Sequence, residues 1–327
     1  MTDRTPESGP GPTDVSASFA IPAVPPFHLE ATVRVLQRRP TNRVNLWEGG
    51  RYLRALPTAE GLRLVAVENR GTIDAPDLRG LVFGGSISMR SQEQLSATIQ
   101  RLLGSAVDPA PFYRVARRDP RLHAVTASLR GLKPPRFPTL FETIANVIPF
   151  QQVSLAAGDA VVGRLVDRCG ARLHLGDRTY DAFPRPEHVA AVDVDALRAL
   201  GLSRAKAATL RDVALRILAG ELSEERLEAL PSDEAMEVLM ALPGIGPWSA
   251  GLMLLRGLRR MEIFPAGDVG AAKNLGRLLG AETPARDGGQ QALLAEMGDT
   301  RGYLYFYALG WRLLHEGLIT PAPGHEA

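Results

Sequence analysis

The chain has 327 residues, 45% hydrophobic and 23% charged, with a net charge of +2 and one cysteine, Cys169. That length suits about two domains, and no apolar run approaches the ~20 residues of a membrane-spanning helix. A lone cysteine excludes an internal disulfide and any four-cysteine zinc or iron–sulfur site, and a cytoplasmic protein without a metal is the expectation.

Residues 1–26 open on a Pro-, Gly-, Ser- and Thr-rich stretch without an apolar signal core, which reads as a disordered tail. Residues 27–107 read as a small mixed α/β domain. Arg51–Leu56 alternates and Leu62–Glu68 is β-branched and aliphatic, so two strands are expected across a turn at Ala59–Gly61. Leu81–Phe83 is a third candidate. Ser91, with Gln94 as capping partner, is expected to open a helix that places Leu95, Ile99, Leu102 and Leu103 on one face and ends at Gly104.

Residues 108–327 have a helical texture. Helices are predicted at Phe112–Arg117, Leu122–Leu129, Leu140–Ile148, Val153–Arg168, Val194–Leu200, Lys206–Ala219, Asp233–Leu242, Pro247–Arg259, Val269–Leu279 and Tyr303–His315, with a strand-like interruption at Ala171–Tyr180. The fold class is therefore α+β: a small N-terminal mixed α/β domain followed by a larger all-α domain. Between Pro111 and Pro138, Arg114, Arg117, Arg118, Arg121, Arg130, Lys133 and Arg136 are opposed by Asp119 alone, a footprint for a polyanion or a solvated face.

The most informative string is Leu242-Pro243-Gly244-Ile245-Gly246-Pro247-Trp248-Ser249-Ala250, set between two predicted helices within 233–259. Pro247 suits the first position of the second helix, where its missing N–H costs nothing. Gly244 and Gly246 both permit positive φ. A tight hairpin with N–H groups at the positive end of a helix would grip a phosphate oxygen without reading a base. Downstream, Phe264-Pro265-Ala266-Gly267-Asp268-Val269-Gly270 breaks the chain at Pro265 and Gly267, so Asp268 suits an N-cap. Lying about twenty residues beyond the hairpin, it is also a candidate catalytic carboxylate.

Leu242–Ala250 together with Asp268 resembles the helix-hairpin-helix/Gly-Pro-Asp signature of the DNA glycosylase superfamily, and most closely its 3-methyladenine DNA glycosylase II (AlkA-like) branch. The likeness covers roughly Phe112 to Leu318. Phe141–Ser154 is similar to the family's first core helix and its lesion-meeting loop, and Leu200–Ala207 to the turn before the hairpin. Three departures stand out: the element reads Pro-Ala-Gly-Asp, Leu252 stands where the branch often carries an aromatic residue, and the family's late pocket tryptophan has no counterpart near Thr300–Tyr303.

The resemblance implies an enzyme that extrudes a damaged base from double-stranded DNA and hydrolyses its N-glycosidic bond, with Asp268 stabilising the charge that builds on the sugar. Trp248, Leu252, Phe150 and Phe264 are the base-pocket candidates. Gly244, Ile245, Gly246, Ser249, Gln151, Gln152 and Lys273 are the DNA-contact candidates, with Gln152 at the wedge position beside Gln151. Some of Arg256, Arg259, Arg260, Lys273 and Arg277 are expected at phosphates, and Tyr303, Tyr305, Phe306, Tyr307 and Trp311 in the core. Bifunctional relatives place a lysine nucleophile just after the hairpin. Trp248 stands there instead, so base removal without strand cleavage is implied. Alkylated purines are the implied substrates, with no cofactor beyond a monovalent cation at the hairpin carbonyls. Excision of deaminated bases (hypoxanthine, uracil) and a non-catalytic DNA-binding module are the alternatives. A monomer associated with the bacterial nucleoid through DNA is expected.

Overall fold

In the computed structural model, residues 14–280 and 288–323 are described. The expected tail over residues 1–13 lies outside them. Its remainder differs from expectation, because Ala17–Ile21 forms β1, an edge strand paired antiparallel with β5 so that Ala17 faces Val82. This strand was masked by the Pro- and Ser-rich composition around it.

The N-terminal part continues with α1 (Leu29–Gln37), β2 (Leu46–Glu48), β3 (Arg51–Thr58), β4 (Gly61–Asn69), β5 (Leu78–Phe83) and α2 (Met89–Leu103). The strands make an antiparallel sheet in the order β1-β5-β4-β3-β2. Thr58 pairs with Gly61 across the tight β3–β4 turn, where the Thr58 hydroxyl donates to the Gly61 carbonyl at 2.8 Å. The cap of α2 is Ser88, three residues before the expected Ser91; its hydroxyl accepts the Ser91 N–H, while the Ser91 hydroxyl donates to Glu60 at 2.7 Å.

The helical part runs α3 (Ala110–Ala116), α4 (Pro120–Ser128), α5 (Leu140–Ala145), a short 3-10 turn at Ile148–Phe150, α6 (Leu155–Cys169), β6 (Arg172–Leu175), β7 (Arg178–Asp181), α7 (Pro186–Ala190), α8 (Val194–Arg198) and α9 (Arg204–Leu218). It closes with α10 (Glu224–Ala229), α11 (Ser232–Met240), α12 (Pro247–Leu258), α13 (Val269–Leu278), α14 (Gly288–Met297) and α15 (Arg301–His315). The β6–β7 hairpin is the strand-like interruption.

The N-terminal sheet is buried on both faces. Tyr52, Leu56, Val65, Val67 and Val82 pack against the α1/α2 side, while Leu53, Ala55, Leu64, Leu81 and Phe83 pack against Leu173, Leu175 and Tyr180 of the β6–β7 hairpin. A strand covered on both sides needs no polar alternation, which explains why β4 reads as a continuous aliphatic run. Helix α1 belongs to both cores: Val33 and Leu36 face the sheet, Ala31 and Val35 the helices. A buried ion pair, Arg54 with Glu142 at 2.5 Å, ties β3 to α5. The small part is thus built against the large one, and α1 delivers its C-terminal end to the large part's cleft.

The basic segment is not one surface. Arg114, Arg117, Arg118 and Arg121 are exposed on α3, α4 and the turn between them. Arg130 is held by Asp74, Arg136 is buried against Glu224 and Glu228, and Lys133 is buried with its Nζ on the Val107 carbonyl at 2.6 Å.

Candidate active site

The hairpin between α11 and α12 forms as the string predicts, with one difference. Gly244 adopts φ +74, the left-handed region that favours glycine, but Gly246 is extended at φ −100 and ψ −179. Gly246 is the N-cap of α12. It caps nothing with a side chain, and a Cβ there would meet only open space. Its value is clearance, because the first N–H groups of α12 are left facing outward with room for an oxyanion. Pro247 occupies N1 as expected. Ile245, named with the hairpin, points the other way: its side chain is buried in the helical core.

Asp268 caps α13. Gly267 at φ +77 turns the chain into it, and one carboxylate oxygen accepts the Ala271 N–H at 2.8 Å. The other accepts the Trp248 indole N–H at 3.2 Å. The hairpin helix and the aspartate therefore meet through a direct hydrogen bond. Each oxygen keeps lone-pair capacity for a further donor. A side chain at Gly270 would press on Asp268 Oδ1 at 3.3 Å, so the bare backbone there gives the carboxylate room.

Both motifs line one cleft of about 1050 Å³. Trp248, Leu252 and Phe150 line it, as do Gly244, Gly246, Ser249, Gln151, Gln152 and Lys273. Phe264 does not: it borders a smaller cavity of about 480 Å³ behind the Pro265–Asp268 loop, because the chain turns between it and Asp268.

The two adjacent glutamines separate. Gln151 is a brace: its amide donates to the Gly244 carbonyl and to the Ser249 hydroxyl, both at 2.9 Å. Gln152 is exposed at φ +56, with exposed Val153 and Leu155 beside it. A non-glycine residue in that conformation stores strain of order 1 kcal/mol, and here it sits at the tip of the loop facing the cleft. Lys206 fastens the same loop, donating to the Gln151 carbonyl at 2.5 Å and the Pro149 carbonyl at 3.4 Å; partial burial lowers its pKa. Thr209 donates to the Pro243 carbonyl at 2.9 Å. Protein donors thus already engage two carbonyls of the hairpin. Among the described residues no cluster of His, Cys, Asp or Glu has a metal-holding arrangement.

Of the arginines expected at phosphates, three are otherwise engaged. Arg259 donates to the Pro134 carbonyl at 2.8 Å and also to that of Arg101, and Arg260 donates to the Leu230 carbonyl at 2.7 Å. Arg256 is 1% exposed on α12, stacked 4.7 Å from the Phe137 ring. Its three guanidinium nitrogens have no hydrogen-bond partner. Burial, reinforced by repulsion from Arg38, pulls its pKa down to about 10, and Tyr305 and Asp268 partly offset this; it remains a cation at neutral pH. Lys273 and Arg277 stay at the cleft.

Arg38 and Tyr305 are among the lining residues that the sequence did not place at the cleft. Arg38, at the C-cap of α1, donates to the Tyr305 hydroxyl and lies 5.7 Å over the Phe150 ring. Tyr305 packs in the core with its neighbours in α15 but opens its hydroxyl end to the cleft. The one signal in the sequence was the position of Tyr305 within the aromatic run; nothing local marks Arg38.

Residues 145–296 match the HhH-GPD superfamily of base excision DNA repair proteins. The chain is similar to the DNA-3-methyladenine glycosylase of Bacillus subtilis (strain 168), 28% identical over 208 residues, which span 64% of this chain and 68% of that one. It is 35% identical over 191 residues to the probable bifunctional transcriptional activator/DNA repair enzyme AlkA of Mycobacterium tuberculosis, covering 55% of this chain but 36% of that longer protein. In fold it resembles a 3-methyladenine DNA glycosylase from Archaeoglobus fulgidus, with a TM-score of 0.74 and 24% identity over 92% of this chain and all of that one. The α+β architecture inferred from sequence is the architecture of that neighbour.

Proposed function

We propose that the chain is a monofunctional DNA glycosylase acting on damaged duplex DNA, with alkylated purines of the 3-methyladenine type as substrates. The observation that carries this reading is the hydrogen bond from Trp248 to Asp268, which joins the phosphate-gripping hairpin and a carboxylate in a single cleft. The hairpin N–H groups would hold the backbone. The Gln152 tip would fill the space left by the extruded nucleotide, and Lys273 would meet a phosphate.

Breaking the N-glycosidic bond sends its electron pair to the base and leaves positive charge on the sugar. Asp268, fixed by two N–H donors, supplies the opposing charge and can orient water for attack at the anomeric carbon. An N-alkylated purine carries a positive charge and departs neutral, so no general acid has to protonate it. Trp248 and Leu252 line the pocket on successive turns of α12. The chemistry requires no metal or redox group.

Absence of lyase activity is supported by the residue after the hairpin, which is Trp248 and not an amine, and by the engagement of the Lys206 ammonium with two carbonyls. The test uses duplexes carrying 7-methylguanine or 3-methyladenine, with abasic sites scored with and without alkali. Release with strand breaks only after alkali is expected; breaks without alkali would refute the monofunctional claim. Asp268→Asn should lower single-turnover release by about 10²–10³-fold while keeping DNA affinity. Full activity in that variant would remove the mechanism.

A further inference from the structure

The charges in this cleft are unevenly compensated. Arg39 is neutralised by Asp159 at 2.9 Å and Arg312 by Glu316 at 2.7 Å. Among the described residues neither Arg38 nor Arg256 has a salt-bridge partner: Arg38 ends on the neutral Tyr305 hydroxyl, and all three Arg256 nitrogens are unbonded. Arg38 is held at φ +64 to reach this place, a conformation that a non-glycine residue rarely adopts. One guanidinium therefore stands in the wall and a second is buried near it, while Asp268 is a carboxylate of the same cleft with no salt bridge among the described residues.

This arrangement bears on which bases can leave. Bond cleavage moves an electron pair from the anomeric carbon to the base nitrogen, and water adds to the carbon and gives up its proton. An N-alkylated purine goes from +1 to neutral and is a good leaving group unaided. An uncharged purine goes from neutral to −1 and needs an external positive charge to bear the incoming density. Arg38 can supply it, together with a donor for a carbonyl oxygen on the base edge. Because the Tyr305 oxygen accepts from Arg38, its own O–H is free as a second donor. The Phe150 face, which would otherwise attract a cationic base, is covered by Arg38.

We propose that Arg38, seated on Tyr305, is a specificity-determining residue that enables this cleft to release uncharged oxopurine bases in addition to alkylated ones. The proposal rests on the glycosylase reading of Asp268 and adds a division of labour: Asp268 serves every substrate, Arg38 the uncharged ones.

The test compares two oxopurines that differ in charge, hypoxanthine and 7-methylguanine, in otherwise identical duplexes. Single-turnover release is measured for the wild type, Arg38→Met, Arg38→Lys and Tyr305→Phe. Arg38→Met should lower hypoxanthine release by roughly tenfold to a hundredfold, the range of a charge-assisted hydrogen bond. The 7-methylguanine rate should fall by a clearly smaller factor, and an unchanged thermal melt serves as the control for folding. Arg38→Lys should recover part of the hypoxanthine rate, and Tyr305→Phe should show a smaller loss in the same direction. Parallel loss on both bases would reduce Arg38 to a structural part and overturn the proposal. Wild-type release of 7-methylguanine without hypoxanthine would also overturn it, with the glycosylase reading intact. Release of neither base would remove that reading itself.

Discussion

Two buried arginines divide the molecule. Arg54, in β3, is buried against Glu142, and its neighbour Asn45 accepts a second bond at 2.7 Å. Desolvation is the largest single influence on Arg54 and pulls its pKa down, but Glu142 and Tyr52 together outweigh it and the pKa is raised. Arg256, in α12, is just as buried but has no partner, and its pKa moves the opposite way. A paired buried charge fastens two elements together. An unpaired one costs stability, and this cost falls under the cleft, where a field is useful. Both guanidinium groups are buried, and the direction of each shift follows its surroundings: a directly paired carboxylate for Arg54, a neighbouring arginine for Arg256.

The comparison can be broken first at the paired end. Glu142→Ala would strand the Arg54 charge and should destabilise the fold by about 3–5 kcal/mol, read by denaturant titration, with base release per folded molecule retained. Unchanged stability would show that the pair fastens nothing. Lys133 lies between the two extremes, a buried ammonium on a single carbonyl, with its pKa lowered by burial to about 8 from the ordinary 10.5. Above pH 8 the folded state has shed this proton while the unfolded chain still holds it. Stability from this group should therefore rise as pH goes from 8 towards 10.5, by about 1–3 kcal/mol, and Lys133→Met should abolish that rise. A wild-type stability curve with the same slope as the variant would contradict the shift.

At the unpaired end, Arg256→Met should hold or raise stability by about 1 kcal/mol while slowing base release. Loss of stability with unchanged catalysis would reverse the contrast drawn here. The smallest effect is expected at Gly270→Ala. Helix propensity favours alanine by a few tenths to 1 kcal/mol, yet a Cβ would sit 3.3 Å from Asp268 Oδ1. A few-fold slower release at equal or higher melting temperature is the expected result, and an unaltered rate would show that the carboxylate has slack.

What could be read from the sequence was what the backbone decides locally. The Leu242–Ala250 string and the Pro265–Asp268 break each carry their own turn chemistry, so the hairpin, the N-cap and their meeting followed from residue type and spacing. Gly246 was misread in conformation because a glycine kept for clearance looks the same as one kept for positive φ. The burial of Lys133, Arg136 and Arg256 was not legible, since a count of charges says nothing about partners that lie up to 92 positions away or are absent. Arg38 lay furthest out of reach: it arrives from α1, across a core that only the folded chain assembles.

Gln151 and Lys206 have one more effect. Through them the loop that ends in Gln152 is fastened to the hairpin at Gly244 and Ser249 and to the first turn of α9. On the proposed reading, a hairpin seated on a strand would present the Gln152 tip at a set offset from the held phosphate, because these bonds tie the two together.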